Sequence, residues 1–169
     1  MGTKTLFIGG VKSGKSFHAE KYTLKKCKNI PIYLATTEFI DEEMKERIQN
    51  HKLQRSQNFL TKEEPLNLFE AIQPVKSHVL VECISMWINN MLYHEFTYED
   101  IQEHLLKVLA LPQDIIFVQN DVGTGIIPDN ALARKYIDIS GKVSQIIAQH
   151  CDNVFHVIAG IPTQIKGKK

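Results

Sequence analysis

Short apolar runs alternate along this chain with stretches whose apolar residues recur at helical spacing. Thr5–Ile8, Pro31–Ala35, His78–Glu82, Ile115–Gln119 and Val154–Ala159 are apolar at successive positions, which predicts strands buried on both faces. Between them, Lys15–Lys26, Asp41–Arg55, Leu66–Ile72, Tyr98–Leu109 and Asn130–His150 carry the helical period. The alternation predicts βαβ units: an α/β three-layer fold with a mostly parallel central sheet and helices on both faces. No repeat, low-complexity tract or linker rich in Gly, Pro or Ser interrupts the pattern. The 169 residues therefore suit one domain spanning 1–169 that can bury a full core.

The junction between the first strand and the first helix carries chemistry. It reads GGVKSGKS, from Gly9 and Gly10 through Val11, Lys12 and Ser13 to Gly14, Lys15 and Ser16. This is the G-x-x-x-x-G-K-[ST] phosphate loop, with the strand before it and the helix after it that the motif requires. Glycines let the backbone turn its N–H groups inward on a polyphosphate, and the helix aims the positive end of its dipole at the same anion. Lys15 is placed to reach the outer phosphates. Ser16 is placed to ligate the Mg2+ that accompanies GTP or ATP. A glycine-rich turn with a stray lysine would satisfy the pattern alone but not its flanks.

Composition narrows the partners. A net charge of +1 gives no electrostatic case for nucleic acid, and the basic tail KGKK reads as a solvated end. Cys27, Cys83 and Cys151 are odd in number and lack C-x-x-C spacing, which argues against a disulfide framework or a zinc site. No stretch resembles a signal peptide, and no apolar run approaches the ~20 residues of a membrane span. A soluble cytoplasmic enzyme is the expectation.

Two further strands end in features that suit a nucleotide site. The run HVLVE closes on Glu82, the position where a carboxylate helps hold Mg2+ directly or through water. The stretch DIIFVQNDVGTGIIPD, from Asp114, passes from strand to a loop containing Gly123, Gly125 and Pro128. Ligands of such sheets bind outside the carboxyl ends of the strands, so this loop should face the nucleotide. Trp87, in the tract ECISMWINNML, reads as core or pocket wall rather than a base-stacking partner.

The segment IDEEMKERIQNHKLQR holds an unusual set. On a helix, Arg47, His51 and Arg55 fall at i, i+4 and i+8 on one face, beside an apolar stripe of Met44 and Ile48. From spacing alone this is either a solvated basic face or a nucleophile for phosphorus. In the second case neutral imidazole attacks and the arginines stabilise charge on the phosphate oxygens.

The blocks GGVKSGKSFHAE, YLATTEFIDEEMKERIQNHK, VECISMWINNML and QNDVGTGIIPDNALARKYIDISGKVSQIIA run in one order over most of the chain. Together they resemble the bifunctional adenosylcobinamide kinase and adenosylcobinamide-phosphate guanylyltransferase family of cobalamin synthesis. DEEMKERIQNHK and NDVGTGIIPDNALAR are the most particular of them. The resemblance implies a RecA-like P-loop NTPase fold and two reactions. First, adenosylcobinamide is phosphorylated on its aminopropanol hydroxyl with ATP or GTP. GMP then passes from GTP onto a histidine and on to the new phosphate, giving adenosyl-GDP-cobinamide.

Carried over residue by residue, the resemblance implies that Gly9 to Ser16 hold phosphates, with Lys15 catalytic. His51 is then the nucleophile, and Lys52 and Arg55 contact nucleotide. Leu34, Ala35 and Thr36, in the YLATTE block, join the nucleotide-binding set. Glu63 and Glu82 contact guanosine or metal. The chain departs from many relatives in having Phe59-Leu60-Thr61 in place of W-R-T, and from some in having Asn50-His51 in place of two adjacent histidines. A homotrimer is implied as well. The rival readings are a plain small-molecule kinase without a covalent step and a nucleotide-driven switch without a small substrate.

Overall fold

The structure, a computed structural model, describes residues 1–38, 45 and 58–168. Its strands are β1 (Lys4–Gly9), β2 (Ile32–Ala35), β3 (Leu60–Glu63), β4 (Val79–Glu82), β5 (Ile115–Asn120), β6 (Asn153–Ile158) and β7 (Ile161–Lys166). Its helices are α1 (Lys15–Lys26), α2 (Leu68–Ile72), α3 (Ile84–Tyr93), α4 (Tyr98–Leu109) and α5 (Ala131–His150). The helix expected over Asp41–Arg55 lies outside the described residues, apart from Lys45.

All seven strands form one sheet in the order β3-β2-β4-β5-β1-β6-β7. Every pairing is parallel except β6 with β7. The predicted parallel sheet is therefore present, with an antiparallel hairpin added at one edge. Successive side chains of a strand point to opposite faces, and the sheet divides its apolar residues accordingly. Leu6, Val79, Val81, Ile115, Phe117 and Val154 pack on one face against α2–α5, where Leu68, Trp87, Ile88, Leu105 and Val143 complete the core. Phe7, Leu80, Ile116, Val118 and Val157 pack on the other face with Ala19 of α1 and with Tyr33 and Phe59. Central strands with no solvent face must be apolar throughout, which explains why the sequence shows runs rather than alternation.

Caps fix the helix starts. Thr97 and Asp100 form a capping box on α4: the Thr97 side chain accepts from the Asp100 amide, and the Asp100 carboxylate accepts from the Thr97 amide at 2.8 Å. Asn130 accepts from the Ala133 amide at 3.0 Å and starts α5 one residue after the predicted boundary. Trp87 is fully buried and donates from Nε1 to the Leu66 carbonyl at 2.9 Å, the core role expected of it.

Lys4 opens β1 buried, with its ammonium donating to the carbonyls of Gly2, Leu111 and Gln113. Burial pulls its pKa below the ordinary lysine value, and Asp114 and Asp152 oppose that pull. The two acids also hold the strand itself. Asp114 accepts from the Thr3 amide at 2.7 Å and Asp152 from the Lys4 amide at 2.8 Å. The amino end of the phosphate-loop strand is thus fastened to both neighbouring strands. Among the described residues no helix is long and apolar enough to cross a membrane.

Phe117, fully enclosed on β5 between β4 and β1, is the most central aromatic of the sheet. Phe117→Ala is expected to cost about 3–5 kcal/mol. Urea titration would show this as a lower midpoint with an unchanged slope.

Candidate active site

The phosphate loop leaves the carboxyl end of β1 through Gly9. A Cβ on Gly9 would lie 2.4 Å from the Val157 carbonyl oxygen and 2.6 Å from Ser13 Oγ, so no larger residue fits. Gly14, at φ +93°, takes the left-handed conformation that turns the loop into α1. Inside the loop the Gly10 carbonyl accepts from the Ser13 amide and from Lys15 Nζ, each at 3.2 Å. Lys15 itself is largely buried, while Val11 and Lys12 stand exposed at the loop tip.

Ser16, in the first turn of α1, donates from Oγ to Glu82 Oε1 at 2.8 Å. This contact joins two candidates that lie 66 residues apart in sequence. It also spans the sheet, because β5 lies between β1 and the β4 strand that ends in Glu82. A hydroxyl and a carboxylate oxygen this close are hard oxygen donors of the type Mg2+ prefers. Among the described residues no group of three or more His, Cys, Asp or Glu could hold a metal by itself.

Residue register places the other candidates. Ala35 pairs with Glu63 on β3 and with Glu82 on β4, so the three stand level at the carboxyl edge of the sheet. Leu34 is fully enclosed in the core. Thr36 is also fully buried, and its hydroxyl accepts from the Cys83 amide at 3.0 Å and donates to the Cys83 carbonyl at 2.8 Å. Its side chain therefore clasps β2 to the end of β4. Arg47, His51, Lys52 and Arg55 lie outside the described residues.

The glycine-rich loop after β5 starts against the phosphate loop, with the Asp121 amide donating to the Gly9 carbonyl at 2.9 Å. A hollow of about 560 Å³ opens there, lined by Gly10, Lys12, Ser13, Asp121, Thr124 and His156 among others. The sequence-based expectation has this loop facing the nucleotide; the structure sets the start of the loop against the phosphate loop.

Several supporting residues were not singled out from the sequence. Asn90, fully buried on α3, donates to the Thr36 carbonyl at 2.6 Å and to the Pro65 carbonyl at 3.0 Å. Ser85 accepts the Asn120 amide at 2.8 Å and ties α3 to the end of β5. Cys83 caps α3, and burial, followed by the Glu82 carboxylate beside it, pushes its thiol up to about 12. The available signal was an amide within the apolar tract ISMWINNML, a polar residue at a core-facing position that needs buried partners.

Fold and site together define a P-loop nucleotide-binding protein with a RecA-like core. Three solved structures share the fold. The flagellar accessory protein FlaH from Methanocaldococcus jannaschii has a TM-score of 0.53 at 15% identity, covering 98% of this chain and 79% of its own. A KaiC-like protein, PH0186 from Pyrococcus horikoshii, has a TM-score of 0.52 at 16% identity, covering 91% and 70%. An ATPase from the type III secretion system of pathogenic bacteria has a TM-score of 0.51 at 11% identity, covering 92% and 51%.

Sequence similarity is more particular. Residues 5–165 match the family described as cobinamide kinase / cobinamide phosphate guanyltransferase, and the chain belongs to that family. The bifunctional adenosylcobalamin biosynthesis protein CobP of Pseudomonas aeruginosa is 34% identical over 171 residues, 98% of each chain. The bifunctional adenosylcobalamin biosynthesis protein CobU of Escherichia coli is 33% identical over 180 residues, 95% of this chain and 98% of its own.

Gly9→Ala is expected to force Val157 and Ser13 away from the loop. Overpacking of this kind costs roughly 1–3 kcal/mol. The variant should bind nucleotide weakly in a titration with a fluorescent GTP analogue and melt at a lower temperature.

Proposed function

We propose that residues 1–169 act as one nucleotide-binding domain that phosphorylates adenosylcobinamide and then guanylylates the product. The observation that carries the phosphoryl-transfer half is the 2.8 Å Ser16–Glu82 contact beside Lys15, at the mouth of the phosphate loop. Lys15 is released from the Gly10 carbonyl to pair with the outer phosphates of ATP or GTP. The loop amides and the start of α1 hold the remaining phosphate charge. Ser16 and Glu82 are the residues that would hold Mg2+. When bound, that ion neutralises charge developing on the transferred phosphoryl group. The aminopropanol hydroxyl of the substrate attacks the terminal phosphorus, and the nucleoside diphosphate leaves.

For the second half we assign His51 as the nucleophile, supported by family membership and by the Arg47, His51, Arg55 spacing in the sequence. The imidazole attacks the α-phosphorus of GTP and pyrophosphate leaves, forming a phosphoramidate. The phosphate made in the first half then displaces the histidine and takes the GMP. Lys52, Arg55 and Glu63 are assigned to the nucleotide in this step. A bulky corrinoid calls for walls beyond one small domain, so we assign a homotrimer in which neighbouring subunits complete the cleft; an active monomer in sedimentation would remove that assignment.

The decisive experiment incubates the protein with α-labelled GTP. Acid-labile, base-stable label should remain on the wild-type chain and be absent from His51→Ala. The same variant should retain much of its phosphorylation of adenosylcobinamide. Lys15→Ala should lose phosphorylation by ~10²-fold or more with unchanged circular dichroism. Label retained by His51→Ala would assign the nucleophile elsewhere, and near-normal phosphorylation by Lys15→Ala would exclude the loop.

A further inference from the structure

The phosphate loop does not stand by itself. Behind it the two-residue turn of the β6–β7 hairpin, Ala159-Gly160, has both residues at positive φ, +50° and +79°. This conformation suits the twist of a tight hairpin. It also presents both backbone groups of one glycine residue to the loop and its helix. The Gly160 amide donates to the Ser13 carbonyl at 2.8 Å, and the Gly160 carbonyl lies 2.7 Å from Nε2 of His18. Gly14, the left-handed residue that joins loop to helix, sits between those anchors, and a Cβ on it would lie 3.3 Å from the Gly160 Cα.

His18 is the fourth residue of α1, and helical side chains lean toward the helix N-terminus. That direction carries the ring back over the first turn to the hairpin. A carbonyl only accepts, so the ring must carry its proton on Nε2 to make this bond. The bond therefore ties the first turn of α1, whose amides must face the phosphates, to the glycine residue whose amide braces Ser13 within the loop.

We propose that His18 is a positioning residue for nucleotide binding, holding the Gly160 turn against the phosphate loop so that the loop is ordered before nucleotide arrives. It touches neither substrate nor reacting atoms and acts through Gly160 and Ser13. The proposal uses the preceding reading only in taking this loop as the nucleotide site. Loss of one such bond is worth roughly a five- to tenfold change in an equilibrium.

The test compares His18→Leu, which keeps helix propensity, with His18→Gln, whose side-chain amide can replace the Nε2 donor. In nucleotide-free protein, hydrogen exchange should quicken in His18→Leu across 156–161 and 10–14, with 115–119 unchanged. GTP should bind to His18→Leu roughly five- to tenfold more weakly. His18→Gln should restore both properties to nearly the wild-type level. GTP binding by His18→Leu as tight as wild type would overturn the proposal, as would a Gln variant as impaired as the Leu variant. Faster exchange at 115–119 would overturn it too, by showing general loosening. If wild-type protein bound no GTP, the nucleotide reading would fail; the exchange comparison would still support or overturn the brace.

Discussion

The Ser16–Glu82 hydrogen bond is the contact on which the site depends, because it joins two strands that do not touch. β1 delivers the phosphate loop and β4 delivers the carboxylate, yet β5 runs between them. Bridging that gap needs the first turn of α1 to lie across the carboxyl ends of the strands. It also needs the register that brings Glu82 level with Val118 on β5. The apolar residues on both faces of these central strands are what hold that register, since a one-residue slip would exchange their two sets. Core packing therefore sets the distance between two polar atoms at the surface of the sheet.

Around this contact the protein keeps charge sparse. Cys83 follows the carboxylate directly, and its thiol, raised to about 12, stays neutral through the physiological range. A thiolate there would place a second negative charge beside Glu82. Thr36 and Asn90 satisfy the buried backbone groups at the same junction without adding charge. Among the described residues this leaves the Cys83, Thr36 and Asn90 side chains uncharged beside the Glu82 carboxylate.

The phosphate loop and the five main strands were legible because each combines a local signal with a tertiary role that agrees with it. Continuous apolar runs mean burial on two faces, and glycine spacing means a loop that approaches another backbone closely. β3 was not legible. Its residues Leu60 to Glu63 are all exposed, and the strand exists by pairing in register with β2 rather than by burying a face. α3 was obscured because its residues are apolar nearly all round, the pattern of a helix sunk in the core that periodicity alone does not separate from a strand. β7 has an equally exposed pattern and is fixed by the tight turn at Gly160. Of the site, Ser16 and Glu82 were each singled out by motif chemistry, but the hydrogen bond between them was not foreseen. Nor was the clasp at Thr36, because it pairs a hydroxyl with backbone groups 47 residues away.

The placement of β1 has a consequence for how the chain is made. Its pairing partners are β5 and β6, so residues 4–9 find their neighbours only at 115–120 and 153–157. A ribosome releases the phosphate-loop strand well before either of the strands that flank it. Through most of synthesis this apolar segment has no sheet to join, the situation in which nascent chains invite chaperones or mispairing. The segment that declares its chemistry thus waits on strands made more than a hundred residues later, and a fragment cut before β6 would carry the motif without the neighbour that shapes it.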